Sequence, residues 1–226
     1  MSLESRRSFI KKAGATGLTF WLGLSYVKGE STAVISTAKS LTPFIKIDAA
    51  GITIFNPNPE MGQGSYQAVA SMIAEELEVS LDQITIKNTG GEKEFGGGQW
   101  AGGSSTVREG YVTYRKIGAS AKEMLVKAAS QTWGVSPESC TAKEGKVLHA
   151  ATNRTLKYEE LAEAASLLEI PKEPKLKDPK DFKMLGKSVK RPDIPLKVTG
   201  KAEFGIDADV PGMLYSSMER CPVIGG

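Results

Sequence analysis

The sequence predicts an α/β domain with a mixed sheet, and three observations lead to this class. Short apolar segments typical of strands alternate with longer segments in which apolar residues recur every three to four positions, as on one face of a helix. Two glycine-rich segments each lie between a predicted strand and a predicted helix. The chain has 226 residues, of which 40% are hydrophobic, so it can bury a core in one or two domains.

The first predicted elements are a hairpin and a helix. Residues 44–47 and 52–55 are rich in β-branched and aromatic residues and predict two strands, with Gly51 supplying the turn. Apolar residues at helical spacing predict a helix over about 66–78. Ser65 is placed to act as its N-cap.

A strand and a long helix are predicted next. Residues 83–87 have strand character, whereas the segment 90–105 holds too many glycines for regular structure. Helical spacing of apolar residues then continues from Val107 to about Trp133, with Ser105 or Thr106 available as the N-cap.

The rest of the chain is predicted to contain shorter elements. A turn at 143–146 joins two short strands, and an amphipathic helix follows over 158–168. Three prolines among lysines and scattered acids in residues 170–183 predict a solvated linker of polyproline II character. Residues 213–218 predict a further strand.

Composition and charge exclude several classes of protein. The fractions of hydrophobic residues and of cysteine do not suit a disordered tail, a collagen-like repeat or a disulfide scaffold. Residues 1–30 hold five basic and two acidic residues, and this balance accounts for the whole net charge of +3. Because the remainder is neutral and does not interleave aromatic with basic residues, no nucleic-acid binding is expected.

Residues 1–38 are predicted to be a leader that carries an export signal. Arg6 and Arg7 are adjacent and precede Phe9, and a charge-free segment of 15 residues follows over 13–27. This pattern is typical of a twin-arginine signal, which predicts a periplasmic protein and favours a cofactor inserted before export. The apolar segment is shorter than the roughly 20 residues of a spanning helix, so no stable membrane span is expected. The alternative is a basic, amphipathic N-terminus of a cytosolic protein.

The two glycine-rich segments are the most informative motifs. The first loop (residues 60–65) and the second loop (residues 96–106) each precede a predicted helix, where positive φ angles and exposed N–H groups favour an anionic ligand. The first loop lacks the third glycine of G-x-G-x-x-G because Gln67 stands there, and the second has Gly103 where a P-loop needs lysine. Neither a Rossmann nor an NTPase site is therefore predicted. The alternative is that both loops are only tight turns.

Other catalytic constellations are scarce. His149 is the single histidine and no C-x-x-C motif occurs, so no Ser-His-Asp triad, multi-histidine metal site or iron–sulfur cluster is predicted within this chain. If the protein binds a metal, the cofactor must bring the metal's ligands. Cys140 and Cys221 predict two structural thiols, with a disulfide between them left open.

One acidic cluster lies on the first predicted helix. The run Glu75, Glu76 and Glu78 predicts a solvated helix face, in preference to paired acid/base chemistry.

Several segments together carry a family resemblance. Residues 59–64 (PEMGQG) and 74–77 (AEEL) resemble the pterin-binding segment of the xanthine dehydrogenase and aldehyde oxidase family, and residues 102–108 (GGSSTVR) are similar to that family's companion loop. Residues 197–202 and 211–215 resemble the opening of its hammerhead domain. This order behind a twin-arginine leader is most similar to the family branch that holds the beta subunits of isoquinoline 1-oxidoreductase.

The resemblance implies the division of the chain and the residues that contact a cofactor. It implies a leader over 1–38, a molybdopterin-binding segment over 43–168, a Pro/Lys-rich linker over 169–196 and the truncated start of an α/β hammerhead domain over 197–226. It implies no catalytic residue and no metal ligand in this chain. The implied cofactor contacts are Gly62, Gln63, Gly64, Gly103, Ser104, Ser105 and Thr106.

The resemblance also implies an activity. The chain would be the N-terminal part of the large subunit of a molybdenum hydroxylase that oxidises an N-heterocycle or an aldehyde with oxygen from water. The implied cofactor is molybdopterin cytosine dinucleotide, and the implied partner is a small subunit with [2Fe–2S] clusters that passes electrons to an acceptor such as a cytochrome. The fragment alone is expected to be inactive. The alternative is a truncated, non-catalytic cofactor-binding or assembly module.

Overall fold

A four-stranded mixed sheet lies at the centre of the structure, a computed structural model that describes residues 39–224. Strands β1 (Lys39–Thr42), β2 (Ile45–Asp48), β3 (Gly51–Asn56) and β4 (Ile84–Asn88) are neighbours in that order. The pairs β1–β2 and β2–β3 are antiparallel, whereas β3 and β4 are parallel. The predicted leader therefore lies outside the described residues.

Helices cover one face of this sheet. Helix α1 (Ser65–Leu77) connects β3 to β4, and helix α2 (Thr106–Trp133) follows β4. Helix α3 (Tyr158–Ser166) packs against β1, β2 and α2, and a short helix α4 (Ile194–Val198) follows much later. A parallel pair of strands requires such a crossover, and here α1 supplies it.

A second sheet is small and antiparallel. Strands β5 (Thr141–Lys143), β6 (Lys146–His149) and β7 (Arg154–Lys157) form it in sequential order. Short 3₁₀ turns lie at Leu81–Gln83, Lys93–Phe95, Pro137–Ser139, Ala150–Thr152, Pro179–Asp181 and Gly205–Asp207. No helix in residues 39–224 is both long enough and apolar enough to cross a bilayer.

The main core lies between the four-stranded sheet and the first three helices. Along β2 and β3 every second side chain is buried, as expected for a sheet with one face toward helices. The buried side chains from sheet and helices are Ile45, Ile47, Ile52, Ile54, Val69, Ile73, Leu77, Met124, Leu125, Tyr158 and Leu161. The Tyr66 hydroxyl donates to the Ile86 carbonyl at 3.0 Å and fixes the start of α1 to β4.

Helices α1 and α2 pack unusually closely at Gly118. A Cβ atom at this position would lie 2.2 Å from the Ile73 carbonyl oxygen and 3.0 Å from Glu76 Cβ. No other residue fits without displacing backbone, so the glycine sets the distance between the two helices.

The predicted elements of the domain are largely confirmed, although the cap of α1 is different. Six elements occur within one or two residues of their predicted bounds. They are the hairpin strands β2 and β3, strand β4, the long helix α2 and the strand pair β5 and β6. Ser65 is the first residue of α1 rather than its N-cap, because Gly64 takes the cap position with φ 92°. The Ser65 hydroxyl donates to the Pro59 carbonyl at 3.2 Å instead. Strands β1 and β7 were not predicted.

The acidic run on α1 is not a solvated face, so that prediction is wrong. Glu75 is 1% exposed and Glu76 is 0% exposed. Glu76 pairs with the Arg115 guanidinium at 2.7 Å, and Glu75 pairs with the Lys177 ammonium at 2.7 Å. Periodicity placed both acids on the helix correctly, but it could not reveal that residues about 100 positions later would cover them.

The segment predicted as a solvated linker is bound to the helices. Residues 170–183 form only one 3₁₀ turn, yet the backbone N–H groups of Lys183 and of the next two residues, Met184 and Leu185, all donate to the Glu75 carboxylate at 2.6–3.1 Å. The Arg115 guanidinium donates to the Lys177 carbonyl at 2.6 Å. The boundaries of the implied domains, including the start of a hammerhead domain, stay predictions.

The strand predicted over residues 213–218 is absent. The structure assigns no strand or helix there, and the side chains of Leu214, Tyr215 and Met218 are exposed. A strand requires a neighbour for its backbone hydrogen bonds, and none of the sheets in the described part of the chain extends to this segment.

Candidate functional site

The two glycine-rich loops leave the sheet at the same edge. They follow the carboxyl ends of the parallel strands β3 and β4, the edge at which open α/β sheets bind ligands. Gln67 in the first turn of α1 and Val107 in the first turn of α2 line one surface cavity. The N-termini of both helices therefore lie at one end of the domain.

The N-terminus of α1 is occupied by a carboxylate of the chain itself. Glu60 accepts hydrogen bonds from the backbone N–H groups of Gly62 at 2.7 Å, Gly64 at 3.1 Å and Tyr66 at 2.8 Å. The Arg191 guanidinium adds a further donor at 3.0 Å. Burial raises the pKa of Glu60, but these donors outweigh it and lower the pKa to about 2.

The Gln63 amide is used within the first loop. Its Nε2 group donates to the Pro59 carbonyl at 2.7 Å and to the Ser65 hydroxyl at 2.9 Å, and its Oε1 atom accepts from the Met61 N–H at 2.6 Å. The predicted contacts Gly62, Gln63 and Gly64 are therefore brought together, but their main polar groups already have partners. The loop is closed on itself.

The second loop is more open. Gly103 and Ser104 are exposed and adopt left-handed φ angles of 60° and 54°. A Cβ atom at Gly103 would meet no other atom within 4 Å. Ser105 occupies the N-cap position of α2, but its hydroxyl donates to the Gly102 carbonyl at 3.1 Å and makes no capping hydrogen bond to the helix that begins at Thr106. Within residues 39–224, no side chain accepts from the first-turn N–H groups of α2.

Gln99 and Trp100 give the second loop its shape. The Gln99 amide donates to the carbonyl oxygens of Glu92 at 2.6 Å and Gly96 at 3.0 Å. The Trp100 ring lies against Gly102, where an added Cβ would approach it to 2.7 Å, yet the side chain is 59% exposed. Glycine at 102 therefore allows a large aromatic ring to lie beside the open part of the loop.

Asn58 joins the two loops, and the sequence patterns did not single it out. Its Nδ2 group donates to the Trp100 carbonyl at 2.9 Å in the second loop, and its Oδ1 atom accepts from the Tyr114 hydroxyl of α2. Asn56 donates to the Asn58 carbonyl at 2.7 Å and to the Asn88 side chain at 2.9 Å, across the ends of β3 and β4. The sequence did hold a signal for this site: Asn56 and Asn88 each come directly after a predicted strand. Such positions meet at one end of a parallel pair of strands.

The other titratable groups that the sequence singled out do not form a metal site. His149 is buried, with Nδ1 2.7 Å from the Thr152 hydroxyl. Cys140 and Cys221 are both free thiols, the first partly buried and the second exposed. Over residues 39–224, no group of three or more histidine, cysteine, aspartate or glutamate side chains is placed to hold a metal ion.

This geometry defines an α/β domain in which two glycine-rich loops meet at the N-terminal ends of neighbouring helices, an arrangement that suits an anionic ligand. The molybdopterin cofactor-binding domain family matches the chain over residues 3–202. The chain belongs to this family, which confirms the resemblance found in the sequence.

The curated relatives are longer oxidoreductase chains. The chain is 28% identical to the beta subunit of the isoquinoline 1-oxidoreductase of Brevundimonas diminuta, over 98% of this chain and 34% of that protein. It is 30% identical to one subunit of the nicotinate dehydrogenase of Pseudomonas putida, over 83% of this chain and 17% of that protein. It is 29% identical to a membrane-bound aldehyde dehydrogenase (pyrroloquinoline-quinone) of Gluconacetobacter polyoxogenes, over 76% of this chain and 22% of that protein. The chain thus spans about a third or less of their length.

A solved structure was also found by fold comparison. Quinoline 2-oxidoreductase from Pseudomonas putida 86 superposes with a TM-score of 0.41 at 16% identity, over 56% of this chain and 15% of that chain.

The described residues fit a phosphate-bearing pterin at one loop and not at the other. At α1 the Glu60 carboxylate already receives the N–H groups that a phosphate would need. At α2 the exposed Gly103 and Ser104 leave room for an anion beside an uncapped helix start. All seven implied cofactor contacts stay predictions, and the second loop is the better candidate.

Proposed function

We propose that this chain is the N-terminal part of the large subunit of a molybdenum hydroxylase that oxidises an N-heterocycle or an aldehyde with oxygen from water. The match to the molybdopterin cofactor-binding family over residues 3–202 carries the proposal. The names of the relatives, which include isoquinoline, nicotinate and aldehyde oxidoreductases, support the two substrate classes.

The cofactor in this proposal is molybdopterin cytosine dinucleotide. When bound, it supplies the molybdenum, the metal's dithiolene ligands and the redox chemistry. The chain's own part is to hold an anionic group at Gly103, Ser104, Ser105 and Thr106, where the dipole of α2 adds roughly 0.3–1 kcal/mol. Asn58 keeps this loop against the first one through its bond to Trp100.

Two further features belong to the same proposal. A small subunit with [2Fe–2S] clusters removes the electrons and passes them to a cytochrome, which is supported by two relatives whose names describe them as subunits. The twin-arginine pattern at Arg6 and Arg7 directs the protein to the periplasm. Fractionation of cells that express the full reading frame tests the location, and a wholly cytoplasmic protein would contradict it.

The cofactor is tested by the contents of the protein purified with its accompanying subunits. We expect stoichiometric molybdenum by elemental analysis and cytidine monophosphate after acid hydrolysis. Iron and acid-labile sulfide are expected only while the partner subunit is present. An active preparation without molybdenum would refute the proposal.

The second loop is tested with a pair of matched substitutions. Gly103 and Gly134 lie at opposite ends of α2, have φ angles of 60° and 64°, are exposed, and offer open space to an added Cβ. Gly103→Ala and Gly134→Ala should therefore each cost about 1–2 kcal/mol of stability. Only Gly103→Ala should lower the molybdenum and cytidine content. Equal losses in both variants would mean that the loop does not contact the cofactor.

A non-catalytic module remains the second candidate, because Glu60 fills the helix terminus that a ligand of the first loop would use. This candidate predicts a protein that accumulates and binds partner subunits without molybdenum. The same elemental analysis separates the two functions.

A further inference from the structure

We propose that Arg191 is a positioning residue that holds the first loop in its closed shape by acting through Glu60. The proposal rests on the proposed function insofar as the first loop belongs to the cofactor site. Its physical basis is a set of contacts between segments that lie 131 positions apart in sequence.

Arg191 reaches the first loop at two points. Its Nη2 group donates to Glu60 Oε1 at 3.0 Å, and its Nη1 group donates to the Gly62 carbonyl at 3.2 Å. The charge and the planar fork of a guanidinium allow both contacts at once, which an ammonium group could not reproduce in the same geometry. The Arg191 side chain is only 20% exposed and the Glu60 side chain only 11% exposed, so water screens the pair weakly.

The guanidinium is itself held in place from its own segment. Asp193 accepts from Arg191 Nε at 2.6 Å and from Nη2 at 2.8 Å, and Lys197 of α4 pairs with Asp193 at 2.7 Å. Hydrogen bonding to Arg191 lowers the pKa of Asp193, so this carboxylate stays charged. Gln67 of α1 donates to the Val189 carbonyl at 3.4 Å and brings the same segment against the helix.

The consequence is a coupling between the start of α1 and residues 187–197. Glu60 can accept from Gly62, Gly64 and Tyr66 only while its carboxylate stays at the helix terminus. Within the described residues Arg191 is the cation paired with Glu60, and this pairing helps to keep the carboxylate there. Anything that moves residues 187–197 therefore acts on the shape of the first loop.

The test is amide hydrogen exchange of the full protein, read by mass spectrometry on peptides that contain residues 60–66. Arg191→Gln should increase exchange at Gly62, Gly64 and Tyr66 by about tenfold, because each loses a held acceptor. Amides of the sheet should be unchanged. Arg220→Gln is the matched control, since Arg220 is exposed and, within the described residues, forms no hydrogen bond or ion pair. Arg191→Lys should restore part of the protection, since it keeps the charge and loses the fork.

A double-mutant cycle separates positioning from general stability. If Arg191 acts through Glu60, then Arg191→Gln should have little further effect on exchange in a Glu60→Gln background. The proposal is overturned if the Arg191→Gln variant exchanges at the wild-type rate. It is also overturned if Arg191→Gln raises exchange equally in the wild-type background and in the Glu60→Gln background. Cofactor content is measured in the same samples as a separate readout. If exchange rises while molybdenum content stays constant, Arg191 positions the loop and the first loop's assignment to the cofactor site fails instead.

Discussion

The buried carboxylate of Glu75 offers the sharpest test of how the domain is held together. It accepts the backbone N–H groups of Lys183, Met184 and Leu185 together with the Lys177 ammonium, so a single side chain fixes the segment 177–185 onto α1. The substitution Glu75→Gln keeps the shape of the side chain and removes its charge. The glutamine NH₂ group would also face backbone N–H groups, and because both are donors they cannot form a hydrogen bond.

The size of the effect follows from the pKa of Glu75. Burial raises this pKa, but the Lys177 ammonium and the three backbone donors outweigh it and lower the pKa from the ordinary 4.5 to about 2. The difference corresponds to about 3 kcal/mol of folding free energy at pH 6, within the roughly 3–5 kcal/mol expected for breaking a buried ion pair. Because the folded pKa is the lower one, this stability is present above pH 4.5 and is lost as the pH falls toward 2. At pH 3 about 1.5 kcal/mol should remain.

Urea unfolding followed by circular dichroism measures the change at both pH values. Glu173→Gln is the control, because Glu173 lies near the same segment but pairs with Lys116 at the surface, with 80% of its side chain exposed. A surface pair of this kind contributes up to about 1 kcal/mol. The reasoning is refuted if Glu75→Gln costs no more than the control at pH 6, or if its cost does not shrink between pH 6 and pH 3.

Two further substitutions test the helix contact and the link between the loops. Gly118→Ala should destabilise the protein by about 1–3 kcal/mol in urea unfolding, because the new methyl group would collide with the Ile73 carbonyl. Helix propensity alone would instead stabilise the protein by about 1 kcal/mol. The sign of the measured change in unfolding free energy therefore shows whether the close contact exists. Asn58→Asp keeps the acceptor for the Tyr114 hydroxyl but removes the donor to the Trp100 carbonyl. We therefore expect it to lower the free energy of unfolding by about 1–3 kcal/mol. It should also make the second loop more susceptible to limited proteolysis. Unchanged cleavage would mean that Asn58 does not join the loops.

The sequence was sufficient for most of the secondary structure because the relevant signals are local. Alternating apolar residues with a glycine turn predicted β2 and β3, and apolar spacing predicted α1 and α2 within two residues of their ends. The strands β1 and β7 escaped prediction because each has only four residues, without a strong apolar alternation. Such strands depend on pairing with a neighbour that is already in place.

The polar interior was beyond prediction because its partners are distant in sequence. Glu75 and Glu76 were expected to face solvent, and only their contacts with Lys177 and Arg115 explain why two charged groups are buried. The cost of removing a charge from water is met there by an opposite charge and by backbone donors. Those donors come from a Pro- and Lys-rich segment whose composition alone indicates solvation.

The same reasoning explains why a motif correctly identified the family but described its first loop incompletely. Glycine positions at 62 and 64 indicate positive φ angles and N–H groups at a helix start, and both are observed. The pattern cannot show whether those N–H groups face a ligand or a carboxylate of the chain. Glu60 belongs to the same motif, and its four donors indicate that this part of the motif builds the loop. A ligand would then depend on the second loop, where Gly103 and Ser104 remain exposed beside an uncapped helix.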